Sequence, residues 1–215
     1  GVALQVQYPQ GAEKQLIKVI LGREVPSGKL PLDVGCVVNN VGTALAVYEA
    51  VQKNKPLFER YITVTGKEVT NPGNFLVRVG TPVQELIDAV GGLPESSAKV
   101  ILGGPMTGKA AVSLEVPATK GTSGVVIFSE KEARRHRVEN CIRCTKCVTS
   151  CPMGLEPYLL EKLVQREEWE EAEANDIMDC IECGGCSFSC PARRPILDYI
   201  KIGKAKVMQL RRSRG

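Results

Sequence analysis

The 215-residue chain has little of several things that would give a function away. It has one histidine and one tryptophan, and aromatic residues make up 5% of it. The lone His136 lies in the charged stretch 131–139 and reads as a surface residue, not a ligand. No run approaches the roughly 18 consecutive apolar residues of a spanning helix, so membrane contact must be peripheral, through a partner or a surface. The formal net charge is only +4. Acidic and basic residues are interspersed through most of the chain, which gives no footprint for nucleic acid. The segment 103–109 superficially suggests a phosphate loop, but Lys109 is followed by Ala110 where that motif needs Ser or Thr, so it reads as a turn at a strand end. Nothing signal-like is visible, and the middle of the chain shows no convergent acids, bases or nucleophiles.

Cysteine is what the chain does have. Eight of its nine cysteines repeat one pattern, Cys141-x2-Cys144-x2-Cys147-x3-Cys151-Pro152 and Cys180-x2-Cys183-x2-Cys186-x3-Cys190-Pro191. A cubane cluster offers four iron corners, and a tight loop with Cys at every third position lets three thiolates converge on three of them. In two-cluster ferredoxins the fourth ligand comes from the other motif. The spacing therefore predicts two [4Fe-4S] clusters, one on Cys141, Cys144, Cys147 and Cys190, the other on Cys180, Cys183, Cys186 and Cys151. Zinc is the alternative, but its sites need four ligands and usually come as two CxxC pairs, so a third Cys followed by Cys-Pro has no obvious use there. Four disulfides would suit a small loop-rich secreted domain, whereas 43% hydrophobic residues suit an ordinary core. Cys36, in the apolar run 34–38, reads as a small core residue. Thiolate-rich sites point to a reducing compartment, the cytoplasm or the cytoplasmic face of a membrane.

Periodicity places the motifs. Residues 2–6 read as a strand with no preceding turn, so residue 1 reads as a cut end. Residues 12–21 read as a helix stopped by Gly22, and 34–38 as a strand leading through Asn39, Asn40 and Thr43 into a helix that continues to Val51. A helix start after a polar turn suits an anion. Strands at 61–65, 74–79, 99–102 and 124–128, with a helix at 82–90, describe a small α+β domain compatible with a β-grasp. Residues 158–174 read as one charged helix spacing the cysteine motifs, with Trp169 and its glutamates on its exposed and half-buried faces. Residues 196–212 read as an amphipathic helix with basic polar positions, including Lys201, Lys204, Lys206, Arg211 and Arg212. That face suits an acidic partner or an anionic membrane, or is simply solvated.

Several segments together, 8–17, 22–28, 40–43, 103–106 and both cysteine motifs, resemble the C subunit of the Rnf (Rsx) ion-translocating electron transport complex. The resemblance runs over essentially the whole chain. That family is in turn similar to the flavin-bearing, NADH-oxidising subunit of respiratory complex I. Residues 8–14 look like its Tyr-x-x-Gly-Glu-Glu-Thr segment, with Glu13 at the second acidic position and Ala12 replacing the first. Residues 39–43 look like its Asn-Asn-Val-Glu-Thr segment, with Gly42 replacing the acid. The resemblance thus implies flavin contacts by Asn39, Asn40 and Thr43 and a nucleotide contact by Glu13. The glycine-rich flavin-phosphate segment of both families lies upstream of residue 1, so this chain is expected to bind FMN weakly or not at all, while the full-length protein binds FMN and NADH.

The fold class expected is α+β multidomain: the C-terminal part of an α/β flavin/nucleotide domain (1–58), a β-grasp soluble-ligand-binding domain (59–129) and a helical dicluster ferredoxin-like domain (130–215). The function expected from the resemblance is electron transfer between NADH and ferredoxin-type partners, coupled with other subunits of the complex to Na+ or H+ movement at the cytoplasmic face of the cell membrane. A soluble ferredoxin-type adaptor and a flavin-linked dehydrogenase or hydrogenase subunit are the rivals. Ile142, Val148, Ile181 and Phe188 are expected to cover the clusters. Arg143 and Lys146 either face solvent or lie close enough to raise the first cluster's potential, and since the second loop has Glu182 instead, the first cluster is expected to have the higher potential.

Overall fold

The computed structural model describes residues 1–214. In chain order its elements are α1 (Glu13–Leu21), a 3-10 turn (Pro31–Val34), α2 (Val41–Lys53), β1 (Glu59–Thr65), β2 (Gly73–Arg78), α3 (Val83–Ala89), β3 (Ser97–Leu102), β4 (Lys109–Ala110), β5 (Gly124–Ser129), α4 (Glu130–Ala133), α5 (Lys146–Thr149), α6 (Pro157–Gln165), α7 (Trp169–Ala174), a 3-10 turn (Ile177–Asp179), α8 (Gly185–Ser189) and α9 (Ile196–Arg214). They gather into two compact units, one made of Gly1–Val38 with the chain from His136 onward, the other of Asn39–Arg135.

The second unit is built on a five-stranded sheet of order β2-β1-β5-β3-β4. β1 runs parallel to β5, and the other neighbours are antiparallel. Alternation drives it: Ile62 and Val64 of β1 and Val125 and Ile127 of β5 point to one face. There α3 lays down Val83, Leu86 and Ile87, the i, i+3, i+4 stripe of an amphipathic helix. Fully burying an Ile such as Ile62 or Ile87 contributes roughly 1.5–3 kcal/mol. This is the small α+β domain the strand pattern predicted, with β4 added. Residues 103–108 are the turn between β3 and β4, and Lys109 opens β4. A Cβ on Gly108 would lie 2.5 Å from Ile101 Cγ2 and 2.6 Å from the Gly104 carbonyl oxygen, so only glycine closes that turn.

The first unit is helical. Its core joins Leu160, Leu163 and Val164 of α6 and Ala172 of α7 to Ile196, Leu197, Ile200 and Val207 of α9. α6 and α9 cross closely because residue 203 is glycine: a Cβ there would meet Val164 Cγ2 at 2.4 Å and Ile177 Cδ1 at 2.7 Å.

Three expectations are corrected. The strands at 2–6 and 34–38 do not form. A strand needs a hydrogen-bonding neighbour, and neither segment pairs with one among the described residues. Val6 is 99% and Val37 73% exposed, and the second segment instead begins in the 3-10 turn closed by left-handed Gly35. The helix over 158–174 is broken: α6 ends at Gln165, Glu167 takes a left-handed φ of 59°, and α7 restarts at Trp169. The break lets Leu163, Val164 and Ala172 all reach one core. The basic face of α9 is also not wholly solvated, since Arg211 and Arg214 pair with Glu173 of α7 and Arg214 with Glu170.

Candidate metal centre

The two cysteine motifs fold alike. In each, the residue two after the first Cys is left-handed (Arg143 and Glu182), as is the residue four after it (Thr145 and Gly184) and the residue three after the last Cys (Gly154 and Arg193). Placing non-glycine residues there costs about 1 kcal/mol or more each, a strain associated with loops held to a purpose. The first three cysteines of each motif run into one short helix, α5 or α8, and the Cys-Pro ends it. Across the two helices Ser150 and Ser189, each just before its motif's last Cys, sit with their Oγ atoms 2.9 Å apart. Each Oγ also lies within hydrogen-bonding distance of its own loop, Ser150 of the Cys147 carbonyl and Ser189 of that of Cys186, so that one hydroxyl can donate to the other while its partner donates to a carbonyl. The repeat in sequence is thus a repeat in backbone, related across that serine pair.

Between the loops lie two cavities. The first, about 120 Å3, is lined by Cys141, Cys144, Cys147 and Cys190 with Ile142, Tyr158, Ala192 and Ile196. The second, about 20 Å3, is lined by Cys151, Cys180, Cys183 and Cys186 with Leu155, Ile181, Leu197 and Ile200. Each cavity therefore takes three cysteines from one motif and the last from the other. All nine cysteines are free thiols, and Cys36 is buried away from both sets.

Burial dominates the thiols' chemistry. It raises Cys147 and Cys180, and pushes Cys186 up to about 12. Such thiols stay protonated at neutral pH until a metal displaces the proton. The Glu182 N–H already points at Cys180 Sγ, 3.4 Å away. Among the described residues no three His, Cys, Asp or Glu side chains converge as a single ion would need. Apolar walls and four thiols at each cavity, with the Glu182 N–H aimed at Cys180 Sγ beside the second, suit an iron-sulfur core, which takes three evenly spaced cysteines and a fourth from elsewhere.

Charged pairs whose partnering the sequence did not disclose stand at the first cavity and beside the second. Arg194 lines the first and is bound by Glu161 of α6, with Nε 2.9 and 3.1 Å from its two carboxylate oxygens. Beside the second, Lys204 of α9 donates to the Cys180 carbonyl at 2.6 Å and to Glu182 at 2.9 Å. Arg143 and Lys146 are both exposed, and of the two only Arg143 lines the first cavity. Ile142 and Ile181 line the cavities and Val148 packs into the adjoining core, but Phe188, 82% exposed, covers nothing. Its position on the short α8 turns it outward, while Cys186 two residues earlier turns in.

The N-terminal segment is fastened to the second cavity. Tyr8 Oη donates to the Cys183 carbonyl at 2.6 Å, Gln15 to that of Pro152 at 3.0 Å, and Ser27 to Asp179 at 2.8 Å. Glu13, in the same unit, is exposed in the first turn of α1. Asn39, Asn40 and Thr43 gather at the start of α2 in the other unit, all exposed. The Asn40 side chain accepts the Gly42 N–H at 2.8 Å, the usual N-cap bond. Asn40 also lines a cavity of about 490 Å3 with Arg60, Tyr61 and Leu76.

Comparison with known proteins divides the chain into three modules, the first of which runs across the boundary between the two compact units. Residues 2–49 match the Nuo51 FMN-binding domain, 61–110 the SLBB domain and 140–194 the 4Fe-4S dicluster domain. These matches bear out the fold class and the expectation of FMN and [4Fe-4S] cofactors. The C subunit of a Na(+)-translocating ferredoxin:NAD(+) oxidoreductase complex from Acetobacterium woodii is 46% identical over 98% of the chain and 47% of its own length. A proton-translocating counterpart from Clostridium ljungdahlii is 48% identical over 95% of the chain and 45% of its own length. The C subunit of the ion-translocating oxidoreductase complex of Rhodobacter capsulatus is 42% identical over 77% of the chain and 32% of its own length. The chain thus spans about half the length or less of these relatives. Its identity to them, and the modules it carries, show that it belongs to the family of C subunits of ion-translocating (Rnf-type) oxidoreductase complexes.

Proposed function

We propose that this chain is the electron-relay part of the C subunit in a membrane-associated NADH:ferredoxin-type oxidoreductase complex that moves Na+ or H+. Cys141, Cys144, Cys147 and Cys190 hold one [4Fe-4S] cluster, and Cys180, Cys183, Cys186 and Cys151 hold the other. The observation carrying this reading is the crossed membership of the two cavities, each completed by the last cysteine of the opposite motif. The module boundaries we adopt are 1–58, 59–129 and 130–215.

When bound, a flavin takes up the two electrons of a hydride and a cluster passes them on singly. The chain's own residues do the rest. The cysteine thiols give up protons as they ligate, most of all Cys186, whose burial otherwise keeps it protonated. Ile196, Leu197 and Ile200 of α9 keep water from the cavity walls. Tyr8, Gln15 and Ser27 hold the segment that matches the FMN-binding module against the second site. Asn39, Asn40 and Thr43 contact the flavin, since amide and hydroxyl groups at a helix start suit ribityl and phosphate oxygens, and Asn40 keeps its amide N–H groups available while its oxygen caps α2. Glu13 contacts the nucleotide.

None of the described helices is long and apolar enough to cross a membrane. In this reading the chain is peripheral at the cytoplasmic face, held by other subunits, with NADH and a ferredoxin-type protein as redox partners. The test is to fractionate cells carrying the intact complex and follow NADH-dependent cluster reduction by EPR. The protein should sediment with membranes, leave them when the partner subunits are deleted, and show cluster signals on NADH addition. A fully soluble protein, or clusters that only dithionite reduces, would contradict the proposal.

A further inference from the structure

We propose that the buried Glu161–Arg194 pair sets the midpoint potential of the first cluster, Arg194 by presenting its charge to the site and Glu161 by compensating that charge. This rests on the reading that the first cavity holds a cluster.

The argument starts from burial. The Glu161 side chain is 2% exposed and that of Arg194 16%, and both line the cavity formed by Cys141, Cys144, Cys147 and Cys190. Desolvating a carboxylate costs several kcal/mol, and apolar residues of the same size are often as stabilising as a buried pair. Packing alone therefore does not account for it. Position does: Arg194 follows Cys190 by four residues, behind left-handed Arg193 and ahead of α9, and Glu161 rises from α6 three residues after Tyr158, another wall of the same cavity. Glu161 takes the single Nε–H with both oxygens, a charge-assisted contact that holds the guanidinium beside the carboxylate. Arg194 holds its proton more firmly than an ordinary arginine, chiefly through that bond, and the Cys141 and Cys190 sulfurs act on its charge as well.

Reduction adds one negative charge to a cluster, so a nearby cation raises the potential and a nearby anion lowers it. The two members of the pair must then act with opposite sign. A purely structural pair would not, because breaking it from either end disturbs the same packing.

The test is a mediated redox titration, followed by EPR, of the anaerobically purified full-length protein. Arg194→Gln should lower the midpoint of the first cluster and Glu161→Gln should raise it. Arg194→Lys, which keeps the charge, should stay nearer the parent than Arg194→Gln. The second cluster, beside Lys204 and Glu182, should move less in every variant. If Arg194→Gln sheds the first cluster, the sign of the Glu161→Gln shift decides. Shifts of the same sign from both ends, no shift, or cluster loss in both variants would overturn the proposal while leaving the cluster assignment standing. A parent protein with no cluster on the first motif would overturn both.

Discussion

Gly203→Ala probes the crossing that holds both cavities together. α9 supplies Ile196 to the wall of the first cavity and Leu197 and Ile200 to the second, while α6 supplies Tyr158 and Glu161 to the first and Pro157, at its start, to the second. The added methyl would sit 2.4 Å from Val164 Cγ2 and 2.7 Å from Ile177 Cδ1, and those side chains are 4% and 0% exposed, with little room to yield. Overpacking of this kind costs typically 1–3 kcal/mol, and contacts this short belong near ~3. Replacing a mid-helix glycine by alanine returns about 1 kcal/mol of helix propensity. The net loss is then about 2 kcal/mol. With a urea m-value of about 2 kcal/mol/M, the unfolding midpoint should fall by about 1 M. Anaerobic urea titration by circular dichroism measures it, and visible absorbance in parallel should show both clusters bleaching faster. A variant as stable as the parent, or more so, would mean that α6 and α9 do not approach this closely and would refute the packing described.

The first cavity is faced by two cations, Arg143 and Arg194, against one carboxylate, Glu161, whereas Lys204 and Glu182 balance beside the second. The first cluster should accordingly have the higher midpoint potential, and a titration giving the reverse order would contradict this. In cluster-free, reduced protein the raised pKa of Cys186 means that the folded chain keeps a proton that the unfolded chain loses. Its contribution to stability is full below the unfolded thiol's pKa of about 9 and is lost as pH rises toward about 12. Denaturation midpoints across that range should fall more steeply for the parent than for Cys186→Ala, and equal slopes would remove the assignment.

Much of this was legible because ligand spacing is local. Three cysteines at i, i+3 and i+6 state their own geometry, and the general behaviour of paired motifs supplied the crossed fourth ligands. What depends on distant partners was not legible. Residues 2–6 and 34–38 carry apolar runs fit for strands, yet a strand exists only where another backbone accepts its hydrogen bonds. The break at Glu167 has neither glycine nor proline to announce it and follows from a core shared among α6, α7 and α9. Glu161 looks like any solvated glutamate on a charged helix, because its partner Arg194 lies 33 residues away. Lys204, counted among the basic residues of α9, turns inward to Cys180 for the same kind of reason. The one hint was that Glu161 falls between Leu160 and Leu163 on the buried side of α6.

The central claim is that eight thiols hold two inorganic cores in crossed sets. Iron, acid-labile sulfide and zinc analysis of anaerobically prepared protein, repeated on Cys190→Ser, tests it most directly. Two [4Fe-4S] clusters require about eight iron and eight sulfide per chain, with the EPR signal of the first centre altered or lost in the variant and the second kept. Zinc in place of iron and sulfide, thiols found joined as disulfides, or a Cys190→Ser change that disturbs only the second centre would contradict it.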